Sequence, residues 1–316
     1  MRNRSKMTIL VSLAALFVAI FLFIDVGSNW EYVLSLRTKK VLAMIVTGSC
    51  IAFSTVIFQT ITNNRILTPS IIGLDSLYML IQTTIVFAFG GTTLTMMDSN
   101  SHFLLSVGLM VLFAGVLYRF VFQRIGKNIY FLLLIGIIMG TFFSSISSFM
   151  EMLIDPNEFL VVQDSMFASF NNVNMDLLFI ATVSVCMVTG YVLRFTKFFD
   201  VLALGRDHAV NLGVAYDNVV IRLLAVIAIL VSIATALVGP ITFLGLLVVN
   251  VAHEFLKTYR HSYLIFGSIL ISIIALVGGQ LLVERVFMFS TNVTVIINFI
   301  GGIYFLYLLL KESRSW

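Results

Sequence analysis

The chain has 316 residues, of which 60% are hydrophobic and 11% charged. Soluble domains carry about 25% charged residues, so this composition excludes an ordinary soluble enzyme and specifies a polytopic, all-α membrane protein. The formal net charge of +4 implies no nucleic-acid partner, because Lys and Arg in such a chain act mainly as topology markers in membrane lipid.

Arg2, Arg4 and Lys6 precede an uncharged apolar run from Met7 to Ile24. A secretory signal has a shorter apolar core and a small-residue cleavage site, so this run reads as a retained first span with a cytoplasmic N-terminus. A spanning helix needs about 20 mostly apolar residues. On that rule, further spans are predicted near 41–61, 71–90, 103–122, 128–150, 176–195, 219–238, 243–257, 262–283 and 293–310. The total is about ten, in a single transmembrane domain over 1–316, with the 243–257 run short for a span. Pro69, Pro156 and Pro240 each sit at a break between apolar runs, as expected of helices joined by defined turns. Cys50 and Cys186 both fall inside apolar runs, which argues against a disulfide framework.

Charge then orients the spans. Ten crossings leave both termini cytoplasmic, and of the 19 Lys and Arg only Arg37, Lys39, Lys40 and Arg285 face outside. That bias is what the positive-inside rule requires. It puts Asp200–Arg222 in the cytoplasm and the 151–175 segment outside.

Asp200–Arg222 breaks the apolar pattern with charges, amides and two glycines. Leu204, Ala209 and Leu212 fall roughly on one side of a short helix, with Arg206, Asp207 and Asn211 elsewhere around it. Gly213 follows as a C′ residue, able to take the left-handed conformation without a Cβ penalty. Asp217 or Asn218 can cap the next helix. The segment reads as two short helices at a sharp angle, shaped either as a grip for a partner or as an ordinary interfacial loop.

In the fifth span Gly136, Gly140, Ser144 and Ser148 recur every four residues. Small residues at that spacing let helices approach closely. The stripe suits packing within the chain, a seam against a second subunit, or the wall of a central pathway. Gly278, Gly279, Gly301 and Gly302 offer similar sites in the last two spans.

Asp75 and Glu254 lie near predicted span ends, and no chain of ionisable groups crosses the bilayer, as an ion-coupled pathway would show. His102, His208, His253 and His261 lack ligand spacing, so no bound metal is expected. There is no G-x-x-x-x-G-K-[ST] phosphate loop; any nucleotide that drives the protein sits on a partner.

The second span and its exit read V-L-A-M-I-V-T-G-S-C-I-A-F-S-T-V-I-F-Q-T-I-T-N-N-R-I-L-T-P-S-I-I-G. This resembles the permease subunits of type II ABC importers, the FecCD-like family of iron–siderophore, haem and vitamin B12 uptake. Their pattern there is R-x-P-R-x-L, G-x-x-L-x-x-S-G-x-x-x-Q and R-N-P-L-A-x-P-x-x-L-G. Arg37, Lys40, Gly48, Ser54, Gln59, Asn64, Pro69 and Gly73 match, with Lys39 in place of a proline. The resemblance continues in L-L-L-I-G-I-I-M-G-T-F-F-S-S-I-S-S, L-G-R-D-H-A-V-N-L-G-V, V-G-P-I-T-F-L-G-L-L-V and I-G-G-I-Y-F-L-Y-L-L-L. It covers nearly the whole chain.

The resemblance implies about ten helices per subunit, two permease subunits (identical or paralogous) around a central pathway, two cytoplasmic ATPases and an external substrate-binding lipoprotein. It implies that segment 200–218 is the coupling helix pair, through Leu204, Gly205, Arg206, Asp207, His208, Ala209, Asn211, Leu212 and Gly213. It implies that Arg37, Lys40 and Arg285 receive carboxylates of the binding protein, that 151–175 is an external gate, and that Ser54, Gln59 and Asn64 belong to the path or seam. No cofactor would be bound directly: ATP and Mg²⁺ would sit on the ATPases, and iron would travel as a chelate. The family's V-P-H-I-A-R is V-V-N-V-A-H here, placing Val249, Asn250 and His253 at changed positions, and Ser165 and Ala168 replace its external Trp and Gly. These features look closest to the branch importing catecholate siderophores such as petrobactin or anguibactin, in a bacterial plasma membrane. A haem or cobalamin importer of the same build, and a stand-alone secondary transporter or channel, are the alternatives.

Overall fold

A computed structural model describes residues 3–26, 29–91, 97–124, 129–171 and 173–313; Arg2 lies outside them. Among the described residues the regular structure is helical, with no strand. In chain order the helices are α1 (Asn3–Phe23), α2 (Trp30–Thr62), α3 (Leu74–Phe89), α4 (Ser99–Arg124), α5 (Ile129–Glu151), α6 (Pro156–Ser165), α7 (Met175–Val192), α8 (Thr196–Leu202), α9 (Arg206–Asn211), α10 (Tyr216–Val238), α11 (Leu244–Leu256), α12 (His261–Arg285) and α13 (Val293–Ser313). Short 3₁₀ turns occupy Pro69–Ile72 and Leu193–Phe195.

Among the described residues eight segments are long and apolar enough to cross a bilayer, and they coincide with eight of the predicted spans. The other two predicted spans, at 71–90 and 243–257, correspond to α3 and α11, apolar helices shorter than a full crossing. Each is preceded by irregular backbone, at Thr68–Gly73 and Gly239–Phe243, that takes up part of the run. Such backbone is tolerated inside a membrane protein only where protein or a water-filled cavity satisfies it.

Helices α2, α10 and α12 form the buried centre, and α11 packs on α2 and α12. Helices α1, α5, α7 and α13 keep most of their apolar surface outward, as lipid or partner contact demands. Helix α2 is much longer than its predicted span. Its 33 residues extend about 50 Å, well beyond a hydrocarbon core of about 30 Å. Arg37 and Lys40 therefore lie on the helix rather than in a loop.

That length lets α2 close the end of α1. The last carbonyls of a helix lack internal partners and carry partial negative charge. Arg37 Nη1 donates to the carbonyls of Phe21, Leu22 and Ile24 at 3.2, 3.2 and 2.6 Å. Arg285 Nη2 adds a bond to Ile24 O at 3.1 Å, while its Nη1 pairs with Asp25 at 2.7 Å. Two cations from distant parts of the chain thus hold one helix terminus.

The passage from α2 to α3 is held as tightly. Asn63 ends α2 in the left-handed conformation (φ 48°). Gln59 Nε2 and Asn250 Nδ2 both donate to the Arg65 carbonyl, at 2.7 and 2.9 Å, and Asn64 Oδ1 accepts from Ile66 N at 2.9 Å. Pro69 opens the 3₁₀ turn, and Gly73 at φ 86° redirects the chain into α3. Here backbone meets backbone: a Cβ on Gly73 would lie 2.9 Å from Gly140 Cα, and one on Gly136 would lie 2.9 Å from Ile72 Cα. The first half of the small-residue stripe is thus used inside the chain. Ser144 and Ser148 remain exposed, with Ser144 Oγ bonded to Ser76 Oγ at 3.1 Å.

Two consequences are measurable in purified protein. Gly73→Ala should destabilise by about 2–4 kcal/mol, from its positive φ plus the backbone clash, whereas Gly302→Ala, with open space around it, should be near neutral. Equal unfolding temperatures for the two variants would refute the close-approach argument. Arg37→Ala should cost about 1.5–3 kcal/mol and speed amide exchange at the end of α1 without any partner present. Unchanged exchange there would remove the capping role.

Candidate functional site

The polar segment folds as two short helices, α8 and α9, joined at Gly205. Gly205 has φ 90°, so the chain reverses there at no steric cost, and its carbonyl accepts from Ala209 N at 3.1 Å to start α9. The far end is a Schellman closure: Val214 N reaches Ala209 O at 3.0 Å and Gly213 N reaches Val210 O at 2.9 Å, with Gly213 at φ 82°. The expected C′ role of Gly213 is what the geometry has.

Two local expectations are corrected. Neither Asp217 nor Asn218 caps α10; the helix starts at Tyr216 after Ala215, with no side-chain cap. Asp217 lies in the first turn, where its Oδ2 pairs with Arg206 at 3.4 Å and ties α9 to α10. Nor do Leu204, Ala209 and Leu212 share one face. Ala209 is fully buried against the protein, while Leu204 and Leu212 are 55% and 64% exposed and Val210 is also exposed. Leu204 precedes the helix, beyond the left-handed Gly205, so helical spacing does not relate it to Ala209. The outcome is an apolar outer surface of Leu204, Val210 and Leu212, with exposed Arg206, Asp207, His208 and Asn211 around it.

A connection invisible in the sequence supports this segment. Asp200 Oδ1, on α8, bonds His261 Nδ1 at 2.6 Å and accepts from His261 N at 3.0 Å. The other ring nitrogen, Nε2, meets Thr60 Oγ1 of α2 at 2.9 Å, and Thr60 donates to its own helix at Val56 O. The chain Asp200–His261–Thr60 links the short helices to α12 and to the central α2. No sequence spacing announces it, because its members lie 61 and 201 residues apart.

Two open cavities flank the interior. One, of ≈ 280 Å³, lies at the C-terminal end of α2, between Gln59, Asn64, Arg65, Ala203, His253 and His261. The other, of ≈ 270 Å³, lies under the 151–175 segment, lined by Tyr78, His102, Asp164, Ser165, Phe167 and Ser169. That segment is pinned at its base, where Ala168 N donates to Thr294 Oγ1 at 2.8 Å and Ser169 N to Val238 O at 2.8 Å. Gly239 admits it, since a Cβ there would meet the Ala168 backbone at 3.0 Å. Gln59 and Asn64 thus line one opening, and Ser54 lies on α2 in the interior between the two.

The three basic residues read as a docking set are brought together near the end of α1, yet each has an internal partner. Lys40 Nζ pairs with Glu284 at 2.9 Å, and Gln280 Nε2 donates to the same oxygen at 3.0 Å. Arg37 and Arg285 cap α1 as described. Among the described residues no group of three or more His, Cys, Asp or Glu could hold a metal ion.

The model of the FecCD transport family matches residues 5–311. The petrobactin import system permease protein YclO of Bacillus subtilis (strain 168) is 66% identical over 316 residues, which is all of both chains. The petrobactin import system permease protein FatC of Bacillus anthracis is 38% identical over 276 residues, 87% of this chain and 78% of that one. Among solved structures, an inward-facing metal-chelate type ABC transporter superposes with a TM-score of 0.85 at 19% identity, covering 98% of this chain and 99% of that chain. This match shows the same fold. On the extent of these matches, the chain belongs to the FecCD transport family.

Proposed function

We infer that this chain is the permease subunit of an ATP-driven importer carrying a ferric siderophore of the petrobactin type inward across a bacterial plasma membrane. Full-length 66% identity to a petrobactin import permease carries the cargo class, and it disfavours haem or cobalamin as substrate. The chain itself is a transport subunit, not an enzyme. Eight apolar spans among the described residues make it a multi-pass membrane protein.

The coupling of ATP hydrolysis to transport is assigned to α8 and α9. A partner gripping α9 would bury Leu204, Val210 and Leu212, which are costly to leave in water. Movement of α8 and α9 would reach the core by two links, Arg206–Asp217 into α10 and Asp200–His261–Thr60 into α12 and α2. Those helices lie between the two open cavities, so alternate opening of the cavities would pass the chelate. In this reading the cavity at the end of α2 opens to the cytoplasm, both termini are cytoplasmic, and the 151–175 segment is the outer gate.

The complete importer would contain a second permease subunit, two ATPases holding ATP and Mg²⁺, and an external binding lipoprotein. Arg37, Lys40 and Arg285 would meet that lipoprotein only at the edge of their internal bonds. An acidic partner would be steered by their field more than held by new ion pairs.

Leu212→Asp and Gly213→Pro should abolish co-purification of the ATPase and uptake, at unchanged levels in the membrane. Normal uptake in either variant would refute the coupling assignment. In cells depending on this importer, unlabelled ferric catecholate should compete with radioiron-labelled petrobactin, while haem and cobalamin should not. Competition by haem or cobalamin alone would move the cargo to the other branch.

A further inference from the structure

Asp75 has no part in the roles above. It lies in the first turn of α3, and Thr235 Oγ1 in the last turn of α10 donates to its Oδ1 at 3.4 Å. Its other oxygen, Oδ2, is enclosed with no hydrogen bond of its own, and the Ser70 side chain also interacts with the carboxyl. Among the described residues no Lys, Arg or His pairs with it. An ionised carboxylate withdrawn from water without a counter-charge is strongly unfavourable, so the site takes up either a proton or a positive partner.

The space beside Asp75 is built to hold one. It encloses ≈ 20 Å³ between α2, the Thr68–Ser70 turn, α3, α10 and the connection before α11. That volume takes a single water-sized particle. Besides Asp75, hydroxyls line it: Ser54, Thr55, Thr68, Ser70, Thr235 and Thr242. Two of these hydroxyl protons are already engaged. Ser54 donates to Cys50 O at 2.7 Å, and Thr235 donates to Asp75. The hydroxyl oxygens can therefore turn lone pairs toward the space, around the one carboxylate.

We propose that this cavity binds a single Na⁺, with Asp75 Oδ2 as its charged ligand and the Ser and Thr oxygens completing the shell. A hard cation takes oxygen ligands, and a monovalent one matches one carboxylate. A divalent ion would leave an excess charge, and Mg²⁺ keeps several waters for which there is no room. A proton is the rival occupant, since Oδ2–H could donate to the Ser70 hydroxyl, and saturable ²²Na⁺ binding separates the two. A bound Na⁺ ties α2, the turn, α3 and α10 together where the chain is least regular, and so favours one arrangement of the helices between the two cavities.

The test uses the assembled importer in lipid nanodiscs without siderophore, so its failure leaves the permease role untouched. Equilibrium binding of ²²Na⁺ should saturate at one ion per permease chain and be displaced by unlabelled Na⁺ but not by choline. NaCl should raise the unfolding temperature above that in choline chloride at equal ionic strength. Asp75→Asn should weaken binding by about tenfold or more, and Ser54→Ala or Thr242→Ala by less. The two hydroxyl variants keep the charge, so they carry the test if Asp75→Asn fails to assemble. No saturable binding in the wild type, binding unchanged in the assembled variants, or K⁺ displacing ²²Na⁺ better than Na⁺ itself would each overturn the proposal.

Discussion

The structure depends on one close approach of backbone to backbone. At the turn between α2 and α3 the chain stops being helical in the protein interior, where no bulk water can satisfy the exposed peptide groups. Gly73 and Ile72 rest directly on Gly140 and Gly136 of α5, with no side chain between them. Around this contact the loose polar groups are closed one by one, Arg65 O by Gln59 and Asn250, and Ile66 N by Asn64. Asn250 stands where the family pattern has His, so this chain supports its turn from α11 with an amide. Had α3 continued as a regular full-length span, neither the short α3 nor the hydroxyl-lined cavity before it would exist.

The same economy governs the charged groups. Arg37 and Arg285 close the exposed end of α1, Lys40 neutralises Glu284, and Arg206 joins α9 to Asp217. Several of these pairs connect residues far apart in the chain, so they hold the order of helices as well as their ends. They also place the mobile function of a transporter within limits. The two short helices rest on Ala209, Phe199 and Leu202, all buried, while Leu204, Val210 and Leu212 remain outside. A segment built this way keeps its fold through its packed inner face and leaves an apolar outer face exposed.

Much of this was legible in the sequence, and the reasons are physical. Hydropathy marks spans because the bilayer demands about 20 apolar residues in a row, and the basic residues orient them. Gly213 announced a helix end because a left-handed C′ favours a residue without Cβ, and the ordered FecCD-like motifs announced the family. Other features had no local signature. Trp30 begins α2 well before the apolar run, because the helix continues past the membrane core along α1. Asp217 resembled a cap and became a cross-link, since the position of Arg206 is a matter of how α9 folds back.

By itself, then, the sequence determined the class of molecule, the approximate positions of its spans, the glycine-bounded polar segment and the family. These depend on composition, period and short motifs, which act over a few neighbouring residues. Only the tertiary structure decided that Gly136 and Gly140 pack within the chain, that Ala209 faces inward while Leu204 and Leu212 face out, and that His261 joins Asp200 to Thr60. It also decided that Asp75, in the first turn of α3, faces a small hydroxyl-lined cavity. Those outcomes rest on contacts between residues tens to hundreds of positions apart, and no local pattern encodes which distant helix a side chain will meet.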